Sequence, residues 1–322
     1  MIKLLSALRK PVAGLVCLLF LRNLRNLRIV LPLLVVAFAL SSCCAPSHSQ
    51  AREGLSLRFG LAKFDDYDPL AVIDKLHDWG FEYCEPAVSQ VMTYSDEAFD
   101  AAVKKAKAGP VHVEVMNWFV PKSVPLTGPA ADPEAIRDYV ERSLAHVEAL
   151  GAKVVVFGSP FARSYPEGFP KEKAWAQLVE FLRMVGGEIE KKQYGMVIGI
   201  EPLNRKESNI INNVTEALKM AKEVNHPKIR IMVDFFHLSQ EHEDPEVMVG
   251  AKDWIVHLHF ANPADARPFP KDPAEDPRYA KFFEVLRRIG YRGRISLEAN
   301  PTNLEADAKA GTAMLRRMAD GR

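Results

Sequence analysis

The sequence has few cysteines, and their spacing argues against a cysteine metal site, a redox motif or a disulfide framework. Its 322 residues contain four cysteines: Cys17, Cys43, Cys44 and Cys84. No pair has the Cys-x-x-Cys spacing of a metal or redox motif, and no disulfide framework is visible. Cys84 lies in an apolar run, so we expect it to be a small buried residue rather than a ligand.

An excess of positive charge is also missing from most of the chain. Six of the 42 basic residues, and no acidic residue, lie within residues 1–42. Residues 43–322 therefore have 36 basic and 41 acidic residues, which gives them a net charge near −5. Without a basic patch or tail, we predict no nucleic-acid partner. With 48% hydrophobic residues, the chain is long enough for one large core.

A third absence is a long apolar run. Ile29–Leu40 has twelve residues, whereas a transmembrane helix needs about 20. It follows a basic stretch and leads into Leu-Ser-Ser-Cys43, which resembles a bacterial lipobox. The resemblance implies a signal peptide over residues 1–42, lipidation of Cys43, a linker over residues 43–54 and a membrane-tethered lipoprotein outside the cytoplasm. A plain signal peptide or an uncleaved anchor is the alternative.

Beyond this segment, short apolar strands alternate with amphipathic helices. The predicted strands are Leu55–Leu61, Phe81–Glu85, Val111–Asn117, Val154–Phe157, Met196–Ile200, Ile229–Val233, Trp254–Leu258 and Arg294–Leu297. Parallel strands need helical crossovers, and eight such units match a (β/α)8 barrel of about 250 residues. A doubly wound open sheet would usually carry a glycine-rich first turn, which Leu61–Phe64 is not. We therefore predict an α/β fold with one domain, a (β/α)8 TIM barrel over residues 55–320.

The last four predicted strands each end in a side chain that can bind a metal. These side chains are Glu201, Asp234, His259 and Glu298. Because ligands bind at the carboxyl ends of barrel strands, we expect the four to face one cavity. Three carboxylates and an imidazole suit a hard or borderline divalent cation. Glu201 and Glu298, roughly opposite each other in the ring, could remove a proton from one face of a carbon and return it on the other.

The same segments resemble those of known enzymes. Glu-Pro-Leu-Asn-Arg-Lys-Glu, from Glu201 to Glu207, resembles the E-x-L-N-R-x-E segment of ketose 3-epimerases of the D-tagatose/D-psicose type. Three more segments are similar to segments of that family. The Asp-Phe-Phe-His segment that ends at His237 is similar to their D-x-x-H segment, and the His-Leu-His segment that ends at His259 is similar to their H-x-H segment. The Ser-Leu-Glu segment that ends at Glu298 is similar to their last metal-binding segment. The broader group is the xylose-isomerase-like barrels, and the resemblance covers about residues 55–318.

This resemblance implies a set of roles. A divalent metal, usually Mn²⁺ but alternatively Co²⁺, Mg²⁺ or Zn²⁺, would be held by Glu201, Asp234, His259 and Glu298. Glu201 and Glu298 would also form the acid/base pair, and Glu207, His237 and Arg267 would bind the substrate. His257 precedes His259 by two residues, so we expect it to point the same way, one layer deeper, without binding the metal.

We therefore predict a metal-dependent sugar isomerase or epimerase that moves a proton next to a ketose carbonyl through an enediolate. No lysine-rich or arginine-rich phosphate cradle is visible, so an unphosphorylated sugar or keto-glycoside is the expected substrate. The alternatives are aldose–ketose isomerisation, a lyase or hydratase acting on 3-keto-glycosides, and a barrel that binds sugar without turnover. A homodimer is one expectation for its assembly. Aromatic residues in two mouth loops could stack on a sugar ring or merely cap the barrel: Trp118, Phe119, Phe161 and Tyr165.

Overall fold

Nine short parallel strands form the sheet in the computed structural model, which describes residues 54–321. They are β1 (Arg58–Ala62), β2 (Tyr83–Glu85), β3 (His112–Val113), β4 (Val115–Met116), β5 (Val154–Phe157), β6 (Val197–Ile200), β7 (Ile229–Asp234), β8 (Ile255–Phe260) and β9 (Arg294–Leu297). Their order in the sheet is β3-β2-β1-β9-β8-β7-β6-β5-β4.

The third strand of the barrel is divided in two, and the division closes the ring. β3 pairs with β2, whereas β4 pairs with β5 on the other side. Only Glu114 separates the two pieces. Its N–H donates to the Cys84 carbonyl, and its own carbonyl accepts from Val154 N–H at 3.2 Å. The nine segments thus make an eight-stranded barrel, and the predicted TIM-barrel fold is confirmed.

Helices follow most of the strands. They are α1 (Ile73–Leu76), α2 (Val88–Val91), α3 (Asp96–Ala108), α4 (Pro133–Leu150), α5 (Pro160–Arg163), α6 (Lys171–Lys191), α7 (Val214–Val224), α8 (Phe235–Gln240), α9 (Arg278–Arg288) and α10 (Leu304–Asp320), with 3₁₀ segments at Pro245–Trp254 and Pro273–Glu275. The bounds of α4 follow from its caps. Asp132 accepts from two N–H groups of the first turn, and Gly151 ends the helix with a φ of 91°, a conformation that glycine adopts without a steric penalty.

The sequence indicates a helix over Pro69–Trp79, and this prediction is wrong in extent. Only α1 within it is α-helical, and tight turns flank that single turn. The buried residues Leu70, Ile73 and Leu76 recur every three positions, a period that suits i−3 hydrogen bonds rather than a longer α-helix. One such bond joins Lys75 N–H to the Val72 carbonyl.

The interior of the barrel below the strand ends is filled by side chains. Tyr83, Val154 and Met232 belong to a small buried cluster there. A Cβ at Gly60 would overlap the Tyr83 ring, so a glycine is needed where that ring crosses the barrel.

Some predictions concern residues that the structure does not describe. The signal peptide over residues 1–42, the lipidation of Cys43 and all of the linker except Gly54 lie outside residues 54–321. Within the described range, no helix has the combination of length and apolar composition that spanning a bilayer requires.

Candidate active site

The four predicted metal ligands meet at the carboxyl end of the barrel. Glu201 follows β6, Asp234 ends β7, His259 lies in β8 and Glu298 follows β9. The strand register sets Asp234 beside His259. All four are buried, and one ligand atom from each lies within 4.8 Å of those of the others. The strands therefore bring together the residues that the sequence places at their tips.

Two atoms of this cluster fit a cation because they have no hydrogen-bond partner within the described part of the chain. These are Glu201 Oε1 and His259 Nδ1, which lie 3.4 Å apart. Nδ1 is also 3.3 Å from Glu298 Oε2. A buried polar atom without a partner loses about 1–3 kcal/mol in desolvation. A divalent cation would satisfy both atoms, and the donor set of three carboxylates and one imidazole suits it.

Glu85, at the end of β2, fixes the orientation of the His259 ring. Its carboxylate accepts from His259 Nε2 at 2.7 Å and from His257 Nε2 at 3.0 Å, and Ser296 Oγ donates to it as well. Because Nε2 of His259 is engaged by Glu85, Nδ1 is the nitrogen that faces the cation site. His257 thus lies behind the ligands, in the deeper layer where the sequence puts it.

The pKa values of Glu201 and Glu298 are shifted in opposite directions. Burial raises the pKa of Glu201 to about 7, and the nearby charge of Glu298 adds to this effect. Burial alone would also raise the pKa of Glu298, but the positive charges of His259 and Arg267 outweigh it and lower that pKa below its usual value. Without a bound cation, Glu298 is therefore ionised near neutral pH, while Glu201 can carry a proton.

Asn204 holds His237 in one tautomer. Its Nδ2 lies 2.8 Å from His237 Nδ1 and 2.8 Å from Glu207 Oε1, so it donates to both. Burial, followed by the charge of Arg267, lowers the pKa of His237 well below its ordinary value, which leaves the ring neutral. Its proton is then on Nε2, 3.5 Å from Asp234 Oδ2. His237 thus presents an N–H donor to the site.

Arg267 supplies positive charge to the carboxylates. Its Nη2 donates to Asp234 Oδ2 at 2.6 Å and to Glu298 Oε2, and its Nε donates to the Glu298 carbonyl. Its guanidinium lies 4.6 Å from the ring centroids of both Phe64 and Phe236. These contacts hold it at the wall of the site, where a substrate oxygen could reach it.

Several residues that position the side chains of the site were not predicted from the sequence. Asn117 donates to Glu298 Oε1 at 2.8 Å. Arg163 is buried and donates to the Glu201 carbonyl at 2.7 Å. Glu85 and Asn117 end the second and third predicted strands, which is the same signal that indicated the four predicted ligands. Asn204 lies within the Glu201–Glu207 motif. Arg163 carries no such signal.

One glycine leaves room for Glu201. A Cβ on Gly158, just after β5, would overlap Glu201 Oε2. A side chain at this position would therefore displace the carboxylate.

A cavity of about 520 Å³ opens above the cluster. Its walls include Glu201 and Glu298 together with the three predicted substrate-binding residues, Glu207, His237 and Arg267. Trp118 and Phe161 line the same cavity, and both are exposed. Phe119 does not line it. This residue is fully buried and packs against Phe157 and Phe181, so its predicted place at the mouth is wrong.

Comparison with known proteins places these features in context. A family model described as a xylose isomerase-like TIM barrel matches residues 73–318. Among curated proteins, a probable ketose 3-epimerase from Synechocystis sp. is 24% identical over 229 residues, which cover 69% of this chain and 75% of that protein.

Solved structures share the fold. A D-psicose 3-epimerase crystallised in the presence of D-fructose superposes with a TM-score of 0.66 at 20% identity, covering 82% of this chain and 96% of the other. A 3-keto-D-glucoside 4-epimerase from E. coli, in its apo form, has a TM-score of 0.66 at 17% identity and covers 81% and 99%.

Proposed function

This chain belongs to the xylose isomerase-like TIM barrel family, and we propose that it is a metal-dependent sugar epimerase acting next to a ketose carbonyl. The observation that carries the proposal is the pair of buried carboxylates, Glu201 and Glu298, on the wall of one cavity beside Asp234 and His259. Epimerase relatives support it. Two carboxyl groups that face one cavity suit removal of a proton from a carbon and return of another.

In the proposed reaction, Glu298 removes the proton from the carbon next to the carbonyl, leaving an enediolate. Asn117 and Arg267 hold the Glu298 carboxylate in place. Glu201 then donates a proton to the opposite face of the same carbon, which inverts that centre. Glu201 takes up from solvent the proton that it donates, so the proton that returns to the carbon differs from the one that Glu298 removed.

The remaining residues bind and polarise the substrate. A divalent cation held by Glu201, Asp234, His259 and Glu298 would act as a Lewis acid toward the carbonyl and its neighbouring hydroxyl, and Mn²⁺ is our proposed metal. The neutral His237 donates from Nε2 to a substrate oxygen. Arg267 contributes positive charge beside the developing enediolate.

We further propose an unphosphorylated substrate. Arg267, the buried cation of the cavity wall, is already engaged by Asp234 and Glu298. Lys122 and Lys206, which also line the cavity, are solvent-exposed. This arrangement does not provide the convergent donors that bind a phosphate group.

Deuterium incorporation tests the chemistry. The Mn²⁺-loaded protein is incubated in D2O with a panel of ketoses and 3-keto-glycosides, and NMR follows the hydrogen next to the carbonyl. Because different residues remove and return the proton, the product should carry solvent deuterium. Glu298→Gln should slow incorporation by at least about 10²-fold, whereas Glu305→Gln, at an exposed position of α10, should not. Normal turnover by Glu298→Gln with its metal retained would refute the proposal.

We also propose that the chain is a lipoprotein tethered outside the cytoplasm through Cys43, as the Leu-Ser-Ser-Cys sequence indicates. Cells fed a labelled fatty acid should incorporate the label into the wild-type protein and not into Cys43→Ser. Equal labelling of both proteins would exclude this anchor.

A further inference from the structure

An aromatic rim stands at the mouth of the cavity, and nothing in the proton transfer uses it. Among residues 54–321, three large apolar side chains are exposed: Phe161 by 69%, Val249 by 40% and Trp118 by 38%. Two of the three, Trp118 and Phe161, line the cavity that contains Glu201 and Glu298. Exposed aromatic side chains that gather at one cleft commonly mark a ligand site.

The rim is held in place by the backbone around it. Trp118 and Ser159 both have positive φ values, 46° and 45°, which non-glycine residues adopt only when their surroundings impose it. The Trp118 carbonyl accepts from Ser89 N–H at 3.1 Å. Ser159 Oγ accepts from Val120 N–H at 2.9 Å. The two left-handed residues are thus each fixed by a hydrogen bond to a neighbouring segment.

A second set of bonds joins the loop that carries Trp118 to the segment that carries Phe161. Leu126 N–H donates to the Ala162 carbonyl at 2.8 Å. Thr127 Oγ1 donates to the Ser164 carbonyl at 2.9 Å. Because the two segments are bonded to each other, the rim is organised before a ligand arrives, which lowers the entropic cost of binding.

The chemistry of the rim indicates what it binds. Lys122 Nζ lies 5.7 Å from the centroid of the Phe161 ring, so an ammonium group stands beside the aromatic face. A pyranose ring has an apolar C–H face that can pack on an aromatic side chain and hydroxyls at its edge that can accept from a lysine.

We infer that the rim is a second sugar subsite and that the substrate is a keto-glycoside whose other half is a sugar. The reacting ring would lie against Glu201 and Glu298, and the glycosidically linked ring would pack on Trp118 and Phe161. This inference rests on the proposed epimerase function and specifies its substrate class.

The test compares two substrates that share the reacting ring. Methyl 3-keto-glucoside and the 3-keto derivative of a glucose disaccharide are supplied separately to the Mn²⁺-loaded protein in D2O, and kcat/KM for deuterium incorporation is measured. The wild type should prefer the disaccharide by about tenfold. Phe161→Ala should reduce this preference, mainly through KM, and the double variant Trp118→Ala with Phe161→Ala should reduce it to about one. Val249→Ala, which removes the exposed apolar residue away from the cavity, should leave the preference unchanged.

Each other outcome overturns one of the two proposals. Exchange with both substrates at equal kcat/KM, or a preference that survives in the double variant Trp118→Ala with Phe161→Ala, overturns the sugar subsite and leaves the epimerase intact. A phenyl 3-keto-glucoside that reacts better than the disaccharide overturns the sugar as the second half.

Absence of exchange with every substrate overturns the epimerase instead, and binding then decides the subsite. Trp118 fluorescence titrated with the disaccharide and with the methyl glucoside should show tighter binding of the disaccharide, and Trp118→Phe should remove the signal. Equal affinities for the two compounds would overturn the subsite.

Discussion

Substitution of Glu85 by glutamine tests how the barrel prepares His259 for a metal. In our proposal, Glu85 contacts neither the substrate nor the metal. Its two oxygens accept from His259 Nε2, His257 Nε2 and Ser296 Oγ. A glutamine has the same shape but only one acceptor oxygen, and its Nε2 hydrogens would face one of these donors. The lowest-cost adjustment moves the His259 proton to Nδ1, where it blocks the lone pair that faces Glu201.

The expected loss of Mn²⁺ affinity follows from the role of Glu85 in orienting His259. Loss of the residue that orients a metal-bound histidine typically costs 10–100-fold in metal affinity, which is about 1.4–2.7 kcal/mol. The histidine–carboxylate bonds are short and buried, so we expect a value in the upper half of that range for Glu85→Gln. Ser296→Ala removes a donor to Glu85 without altering the bond to His259, and it should weaken binding by less than about tenfold.

Calorimetric titration of Mn²⁺ into chelator-treated protein measures this effect directly. The ¹⁵N chemical shifts of His259 report independently which ring nitrogen carries the proton, and a purely structural role for Glu85 would not change them. Glu305→Gln serves as the surface control. Circular dichroism must show that Glu85→Gln is folded. A folded variant with wild-type Mn²⁺ affinity would refute the reasoning.

Two further predictions concern Glu201. Burial raises the pKa of Glu201 to about 7. The charges of Glu85 and Glu298 raise the pKa of His259, although burial opposes this effect. A cation must therefore displace a proton from each of the two side chains. Mn²⁺ affinity should therefore increase from about pH 6 to pH 8, with proton release visible as a buffer-dependent heat; a pH-independent affinity would contradict this. Gly158→Ala places a methyl group against Glu201 Oε2 and should lower kcat/KM by about tenfold or more. Gly187→Ala, which meets no atom within 4 Å, is the matched control, and equal activity of the two variants would show that Glu201 tolerates the displacement.

The sequence was informative wherever a residue lies on a regular strand. Alternation along each strand, together with the rule that parallel strands end on one face, was enough to predict that Glu201 and Glu298 share a cavity with Asp234 and His259. Contacts across the barrel could not be predicted from the alternation of residues along a strand. Glu85 meets His259 over a separation of 174 residues, and only the closed ring brings them together.

Residues outside the strands were predicted less well for a related reason. Phe119 is adjacent to Trp118, yet the first packs in the core and the second is exposed at the mouth. The positive φ of Trp118 separates their directions, and hydrophobicity does not encode such a turn. Arg163 is buried through hydrogen bonds to backbone carbonyls, including those of Glu201 and Phe157, whereas arginine is among the residues least expected in a core.

The difference between strand ends and loops determines which features a distant relative can share with this chain. The proposed metal ligands and acid/base pair lie at strand ends, where the barrel holds them, so a relative at 24% identity can preserve the proton-transfer chemistry. The mouth is built from loops, whose lengths and side chains vary most between relatives. Trp118 and Phe161 belong to that part. The choice between a free ketose and a keto-glycoside must therefore be read from the rim of this chain rather than from the names of its relatives. For this reason, the comparison of Phe161→Ala with the wild type is more decisive for the substrate than any substitution among the four proposed metal-binding positions.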